Sequence, residues 1–505
     1  TLVSQKDEDF KYFNYYNKIF PSNQFLVLAV KSKNDINENY IENISSITKK
    51  ITNLDQVDDV LNINKLPILF LNKASFFDLS NDNIETILNS NFQLDDVIHE
   101  FSKNPLYSNL IINNDKNISS LIIYLKNNKI EKDNEDRKKY LKNKSFIDLE
   151  RKNLIKNIRI IIKESDSNYQ YFLGGVEMIA DDVISFVKKD IILFSILIII
   201  IITLVLFIIF RQLKWVLICL FTSSYAVLIM FGLLGLLGIE VTAISSNFSS
   251  LMFILSISMN IHIINNYIHN DAKDHRLLIS IKKMILPCIY TVLTTIAAFA
   301  SLIISDIKPI NDFGLIMILS LIIILLSSYT ILPLLISLTN SKYTKEILEL
   351  KLLNYFNSFS IKKLNQIILI NFLIFICSIY GISKLNVENS FINYFKKDTE
   401  IYKGMKLIDE KLGGTTPLEV IIKFPKAEKE ESEDEDDWGD EDEGDEKYWF
   451  TKDKINKINM VHNYLDSLEP VGKVLSFSSI IDVATQLNNN KPLGTLEMGV
   501  LYSKI

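Results

Sequence analysis

IILFSILIIIIITLVLFIIF, residues Ile191–Phe210, is twenty residues without one charge. A helix of that length just covers a hydrocarbon core of about 30 Å. Five more runs of comparable character follow, at Trp215–Leu237, Phe248–Tyr267, Met284–Ile304, Phe313–Leu338 and Ile367–Ile382, the last being the shortest. A buried core helix is the alternative explanation for one such run. Six in succession, separated by charged connectors, read instead as membrane spans.

The connectors set the orientation, because short loops rich in lysine and arginine stay on the cytoplasmic side. Arg211 and Lys214 follow the first span, Lys273, Arg276, Lys282 and Lys283 the third, and Lys342, Lys345, Lys351, Lys362 and Lys363 the fifth. The alternate connectors, 238–247 and 305–312, hold only Lys308. Both polar flanks, before Asp190 and after Lys384, are therefore expected on the outer side.

Composition narrows the function further. The formal net charge of -6 has a local origin, since Glu428 to Lys447 carries fourteen carboxylates and two lysines. That segment contributes -12, and the remaining chain is about +6. So dense a charge with so few apolar residues reads as a solvated insert. Lysines elsewhere are scattered among acids, which argues against a nucleic-acid face. Cys219, Cys288 and Cys377 sit in apolar runs as small hydrophobes, without disulfide or metal spacing. His99, His262, His269, His275 and His462 show no metal spacing either, and no glycine loop able to cradle phosphate is present. No cofactor, ATP use or hydrolytic chemistry is expected.

The two polar flanks match each other. At an offset of 392, Phe10, Phe13, Tyr16, Phe20 and Leu26 fall on Tyr402, Met405, Ile408, Leu412 and Leu418, and Leu28, Ala29 and Val30 fall on Val420, Ile421 and Ile422. At an offset of 414, Leu54, Val57, Val60 and Leu61 fall on Leu468, Val471, Val474 and Leu475. The step of 22 between the offsets is close to the length of the acidic insert. A parallel repeat of this kind is a known way to build a transporter. It leads to the expectation that a span ends just before Thr1, that the second copy is cut at Ile505, and that the whole has twelve spans. The opening at Thr1 shows no charged-then-apolar leader.

Within the first flank, Phe25–Lys31 reads as a strand, Tyr40–Ile51 as a helix and Val57–Ile63 as a strand, a βαβ pattern. Leu110–Ile112 and Leu121–Leu125 flank Asn113-Asn114-Asp115, a hairpin turn. Gly174-Gly175 then breaks the chain before a helix, Val176–Lys188, that runs into the first span.

This order of outer domain, five spans, basic segment, span and second outer domain resembles the resistance-nodulation-division superfamily, particularly its MMPL-like branch of lipid and hopanoid exporters. Residues 287–302, PCIYTVLTTIAAFASL, resemble the fifth span of that family, Lys308-Pro309-Ile310-Asn311-Asp312-Phe313-Gly314 resembles the entry to its sixth, and Pro333 sits where the sixth commonly ends in Leu-Pro. The resemblance implies an α-helical polytopic membrane bundle with α+β outer (periplasmic) porter-like domains and a two-fold parallel repeat. The partition is 1–189 for the first outer domain, 190–340 for five spans, 341–366 for a cytoplasmic connector, 367–383 for the span opening the second repeat, and 384–505 for a second outer domain carrying the insert 428–447. It further implies a bacterial inner-membrane protein that moves a lipid or hydrophobic substrate on an ion (proton) gradient, with periplasmic or outer-membrane partner proteins and a homo-oligomer as possible company. The alternative is a lipid-sensing or secretion-assisting scaffold.

Ionisable groups in spans are costly and are functional candidates by default. The third span holds Ser256, Ser258, Asn260, His262, Asn265 and Asn266. In the family this helix often carries a proton-relaying Asp a few residues before a His. His262 matches the His, whereas Ser258 or Asn260 stands in place of the carboxylate. His262 can titrate near physiological pH, or it can be a packing residue near the cytoplasmic end, bonded to Asn265, Asn266 or water. Thr294 and Thr295 are placed to face the same helix, as interhelical hydrogen-bonding partners.

Overall fold

The computed structural model describes residues 8–20, 24–72, 84–126, 137–239, 241–242, 245–270, 275–339, 363–385, 391–415, 418–424, 450–494, 498–499 and 501. The acidic insert 428–447 and nearly all of the connector 341–366 lie outside the described residues. The chain divides into two compact units, one of residues 1–21 and 182–387, the other of residues 22–181 and 388–505.

The second unit is built on a four-stranded sheet. Strands β1 (Phe25–Lys31), β2 (Val57–Leu61), β3 (Ile118–Leu125) and β4 (Gln170–Gly174) lie in the order β2-β3-β1-β4, with every adjacent pair antiparallel. The βαβ reading is thus corrected in one respect: β1 and β2 are not neighbours, because β3 inserts between them. β3 reads ISSLIIYL and is buried along nearly its whole length, as a central strand covered on both faces must be. The expected hairpin keeps its turn, where Lys116 N–H donates to the Asn113 carbonyl at 3.1 Å, but Leu110–Ile112 forms only isolated bridges.

Helices cover both faces of the sheet. Helix α1 (Glu8–Ile19) belongs to the other unit. Helix α2 (Glu38–Thr52) starts at Asn37, whose side chain accepts from Tyr40 N–H, and buries Tyr40, Ile41, Ile44, Ile47 and Ile51. That spacing puts one apolar stripe toward the sheet. The Tyr40 hydroxyl donates to the Val30 carbonyl at 2.7 Å and lies 2.7 Å from Ser119 Oγ; burial pushes this phenol well above its ordinary range. Helix α3 (Leu94–Lys103) and α4 (Arg137–Lys163) complete this part.

Residues 391–501 contribute three further helices, numbered here after the spans. Spans are α5 (Val176–Phe210), α6 (Leu213–Leu237), α7 (Phe248–His269), α8 (Arg276–Leu302), α9 (Lys308–Leu338) and α10 (Leu364–Ile382). Then come α11 (Glu400–Lys411), α12 (Lys452–Asp466) and α13 (Phe477–Leu487). Helices α1 and α11 each have 12 residues and begin 392 apart; α2 and α12 each have 15 and begin 414 apart. The burial differs, however. Ile44, Ile47 and Ile51 of α2 are at most 1 % exposed, whereas Ile458, Val461 and Leu465 at the matching places of α12 are only half-buried. Residues 418–424 and 471–475, which match β1 and β2, form no strand. In the first copy those strands both pair with β3, and no strand is found among the described residues of 391–501.

In the first unit all six spans are long and apolar enough to cross a membrane, so the protein is a multi-pass membrane protein. Each helix coincides with one of the apolar runs, though α8 begins at Arg276, two turns before the run at Met284. Helices α6, α7 and α9 pack on one another and α8 packs on α7 and α9. Their shared core includes Trp215, Phe248, Met252, Ile264, Ile316, Met317, Ile324 and Leu332. Gly314 lets α9 approach α8 closely: a Cβ there would lie 2.8 Å from the Phe299 carbonyl oxygen. Helix α10 buries none of its side chains.

Candidate functional site

Helix α7 carries polar residues on two faces, and its rotation decides what they do. Leu251, Ile254, Ser258, His262, Asn265 and His269 recur every three or four residues and are exposed. Ser249, Met252, Phe253, Ser256, Asn260, Ile263 and Ile264 form the opposite, buried stripe. Of the three residues singled out for proton coupling, Asn260 therefore points into the bundle, while Ser258 and His262 lie on its outer face. The bond to Asn265 anticipated for His262 is made by His269, whose Nδ1 is 2.9 Å from that carbonyl.

Asn260 is the centre of a polar node joining three helices. Its Nδ2 donates to Ser223 Oγ of α6 at 3.1 Å and, at a looser 3.5 Å, to Ser256 Oγ of its own helix. Ser328 Oγ of α9 donates to Asn260 Oδ1 at 2.8 Å. All four side chains are fully buried. An amide suits this place because it donates on one side and accepts on the other, whereas an ionised carboxylate only accepts. It also carries no charge at any pH, so the node holds helices together without titrating. Neighbouring hydroxyls turn to their own helices: Thr222 bonds the Ile218 carbonyl at 2.9 Å, Ser320 that of Ile316 at 2.8 Å and Ser327 that of Ile324 at 3.0 Å.

Thr294 and Thr295 do likewise. Thr294 Oγ1 donates to the Tyr290 and Thr291 carbonyls, both at 3.0 Å, and Thr295 Oγ1 to Thr291 at 2.7 Å, so each bonds within α8 and neither to α7. Back-bonding of this kind satisfies a hydroxyl without a neighbouring helix. At the end of α7 the basic connector is tied in: Arg276 Nε donates to the Tyr267 carbonyl at 2.7 Å, Nη2 reaches that of Ile268, and the guanidinium lies 4.9 Å from the Tyr267 ring centroid. That ring meets Trp215 edge-on at 5.8 Å, with Lys214 Nζ 5.1 Å from the indole.

The sheet-bearing unit adds a buried carboxylate that the sequence did not flag. Glu100, on the apolar face of α3, accepts from the backbone N–H groups of Leu69 at 2.7 Å, Phe70 at 3.0 Å and Leu71 at 2.8 Å. It fixes the loop after β2. Its only sequence signal is its position three residues after Val97 and one before Phe101, on a buried stripe. A cleft of about 230 Å³ in the same unit is lined by Asn109, Asn113, Asp115, Asp409, Lys411 and Gly413. Lys411 pairs with Asp115 at 2.8 Å, and Asp409 accepts from Thr415 N–H and Oγ1, each at 2.6 Å. So polar a cleft does not suit apolar cargo.

Six helices long and apolar enough to cross a membrane, together with a unit built on an antiparallel sheet, define a polytopic membrane protein. The model of the MMPL family matches residues 38–346, from α2 through the fifth span, which is more than half the chain. The chain belongs to the MMPL family and is a membrane transporter of the resistance-nodulation-division type. No curated protein matches the sequence.

Proposed function

We propose that this protein is a secondary active transporter of the bacterial inner membrane that moves lipids or other hydrophobic compounds on an ion gradient, with its outer unit in the periplasm. Membership of the MMPL family carries this reading. The matched helix lengths of α1 with α11 and of α2 with α12 support a two-fold parallel repeat behind it. In this reading the protein is no enzyme; it works with membrane lipid, and periplasmic or outer-membrane partner proteins and a second copy are its further company. Within this half of the repeat His262, on the exposed face of α7, is the group assigned to relay a proton, while Asn260 on the opposite face holds α6, α7 and α9 together.

One observation favours the second reading, a lipid-sensing or secretion-assisting scaffold: a neutral amide occupies the buried place on α7 where a carboxylate would couple protons. Reconstitution into vesicles with a fluorescent lipid and an imposed proton gradient separates the two. Transport is expected from the wild-type chain and lost in His262→Ala, with expression unchanged. Transport that persists in His262→Ala removes the histidine from coupling, and lipid binding without gradient-driven movement favours the scaffold.

A further inference from the structure

Helix α8 begins two turns before its apolar run, and those turns have an inner and an outer face. Leu277 and Met284 pack against the bundle core, and Ser280 and Cys288 on the same side are buried. The opposite side carries Leu278, Ile279, Lys282, Lys283, Ile285 and Leu286, all exposed. Hydrogen bonds fix this rotation. Arg276 Nε donates to the Tyr267 carbonyl of α7 at 2.7 Å, Asn270 Nδ2 donates to Ser280 Oγ at 3.2 Å, and Ser280 Oγ donates to the Arg276 carbonyl at 2.9 Å. Lys282 and Lys283 are thereby held on the outside of the bundle.

Their depth follows from length. Helix α8 has 27 residues, about 40 Å at 1.5 Å per residue, whereas the hydrocarbon core is about 30 Å thick. The surplus falls at its start, because the apolar run begins only at Met284. These first turns therefore lie in the headgroup layer, where aromatic residues gather. Tyr267 beside Arg276, with Trp215 edge-on to it at 5.8 Å, marks that level. Arg211, Lys214, Arg276, Lys282 and Lys283 share this end of the bundle, and among the described residues no carboxylate stands there. Over residues 270–283 four cations meet two acids, Asp271 and Asp274, both outside the described residues.

Exposed lysines in water need no partner, and cations at a span end also orient the chain. The neighbours of these two ask for more. Along one face of α8, exposed Leu278 and Ile279 lie one turn before them and exposed Leu286 one turn after. A soluble anion would satisfy the charge and leave that apolar surface bare. We propose that the outer face of α8 at Lys282 and Lys283 is a binding site for an anionic phospholipid, with its phosphate at the two ammonium groups and its acyl chains along Ile285 and Leu286. Long lysine stems lie on apolar surface while their ends reach a phosphate. This lipid is a resident of the leaflet and not cargo, so the site does not depend on the transporter reading.

The test uses the purified full chain in mild detergent, with phosphatidylglycerol and phosphatidylcholine of the same acyl chains as probes and bound lipid counted by native mass spectrometry. Near an anionic surface each lysine favours association about five-fold, so the wild type should hold phosphatidylglycerol at least about ten-fold more tightly than phosphatidylcholine. Lys282→Gln/Lys283→Gln should lose that preference and bind phosphatidylcholine as before, and Lys282→Arg/Lys283→Arg should keep it. No preference in the wild type, or an undiminished one in the glutamine pair, overturns the site. Lys188→Gln/Lys189→Gln on α5 removes the same charge among exposed apolar neighbours, Ile184 and Ile192, but beside Asp190. It should leave the preference intact; an equal loss there would reduce the effect to net charge and overturn the site. Inorganic phosphate that competes as well as the lipid overturns the part given to the acyl chains. Should the glutamine pair fail to insert, salt decides with the wild type. A preference that falls about ten-fold between about 0.1 M and about 1 M, as the screening length drops from about 10 Å to about 3 Å, supports the pairing, and one that does not fall overturns it.

Discussion

Asn260 holds its three serine partners by shape and hydrogen bonding alone, so its replacements have distinct signatures. Asn260→Ala leaves Ser223, Ser256 and Ser328 free to bond their own helices, so the loss should be modest, about 1 kcal/mol by analogy with interhelical bonds in other bundles. Thermal unfolding in detergent checks this. Asn260→Asp replaces the amide donor with a group that, once ionised, only accepts, so at neutral pH it should lower the unfolding midpoint more than Asn260→Ala does. Equal midpoints would mean that the donation to Ser223 contributes little. Glu100→Gln gives the outer-unit counterpart. A glutamine offers one acceptor oxygen where the carboxylate offers two to three N–H groups, so about 1–3 kcal/mol should be lost, with faster proteolysis in residues 66–72. At this scale the sequence reached Asn260, Ser258 and His262 as a group and could not rank them. Polar residues occur on both faces of α7, and Ser223 and Ser328 look like any serine in a span until three helices are set side by side.

Elements were more legible where one face is apolar. α2 and the six spans follow from periodicity and length, and β1 falls on the residues read as a strand, Phe25–Lys31. α4 was missed because its sequence is strongly polar, and β4 because five residues before two glycines give little pattern. The order of strands was hidden too, since β3 lies more than fifty residues after the strand it separates from β1. Lys473 illustrates a cost inside such packing. Its stem lies against Gly413, and burial draws its ammonium below the ordinary lysine range, with Asp466 and Asp482 pulling the other way. A lysine with a depressed folded pKa binds its proton less tightly folded than unfolded. It therefore weakens the fold at neutral pH, and the penalty fades as pH rises from the depressed value toward about 10.4. Lys473→Met keeps the stem and should raise the unfolding midpoint of the outer unit at about pH 7, with a smaller gain near the free lysine pKa. An equal gain at both pH values would exclude the charge as its cause.

For the whole molecule, the class of protein was readable from six apolar runs and their basic connectors, because lipid demands long uninterrupted helices and says so in composition. What composition could not convey is that residues 388–505 share a compact unit with residues 22–181, a pairing made by contacts such as Gly404 with Leu173. Topology remains the broadest prediction. A cysteine at Asn270 should react with an impermeant maleimide only from the cytoplasm, and cysteines at Asn34 and Asn456 only from outside. Reaction of the Asn34 site from the cytoplasmic side would invert the whole assignment.

Helix α5 has a mechanical consequence of its own. It runs 35 residues without a proline or glycine, about 52 Å at 1.5 Å per residue, some 20 Å more than a bilayer core requires. Nothing in its sequence offers a hinge, so it bends little and turns instead. A rod of that length converts angle into distance: a tilt of about 10° at one end displaces the other by about 9 Å. Angular changes too small to notice at one end of such a rod thus become shifts as wide as a neighbouring helix at the other.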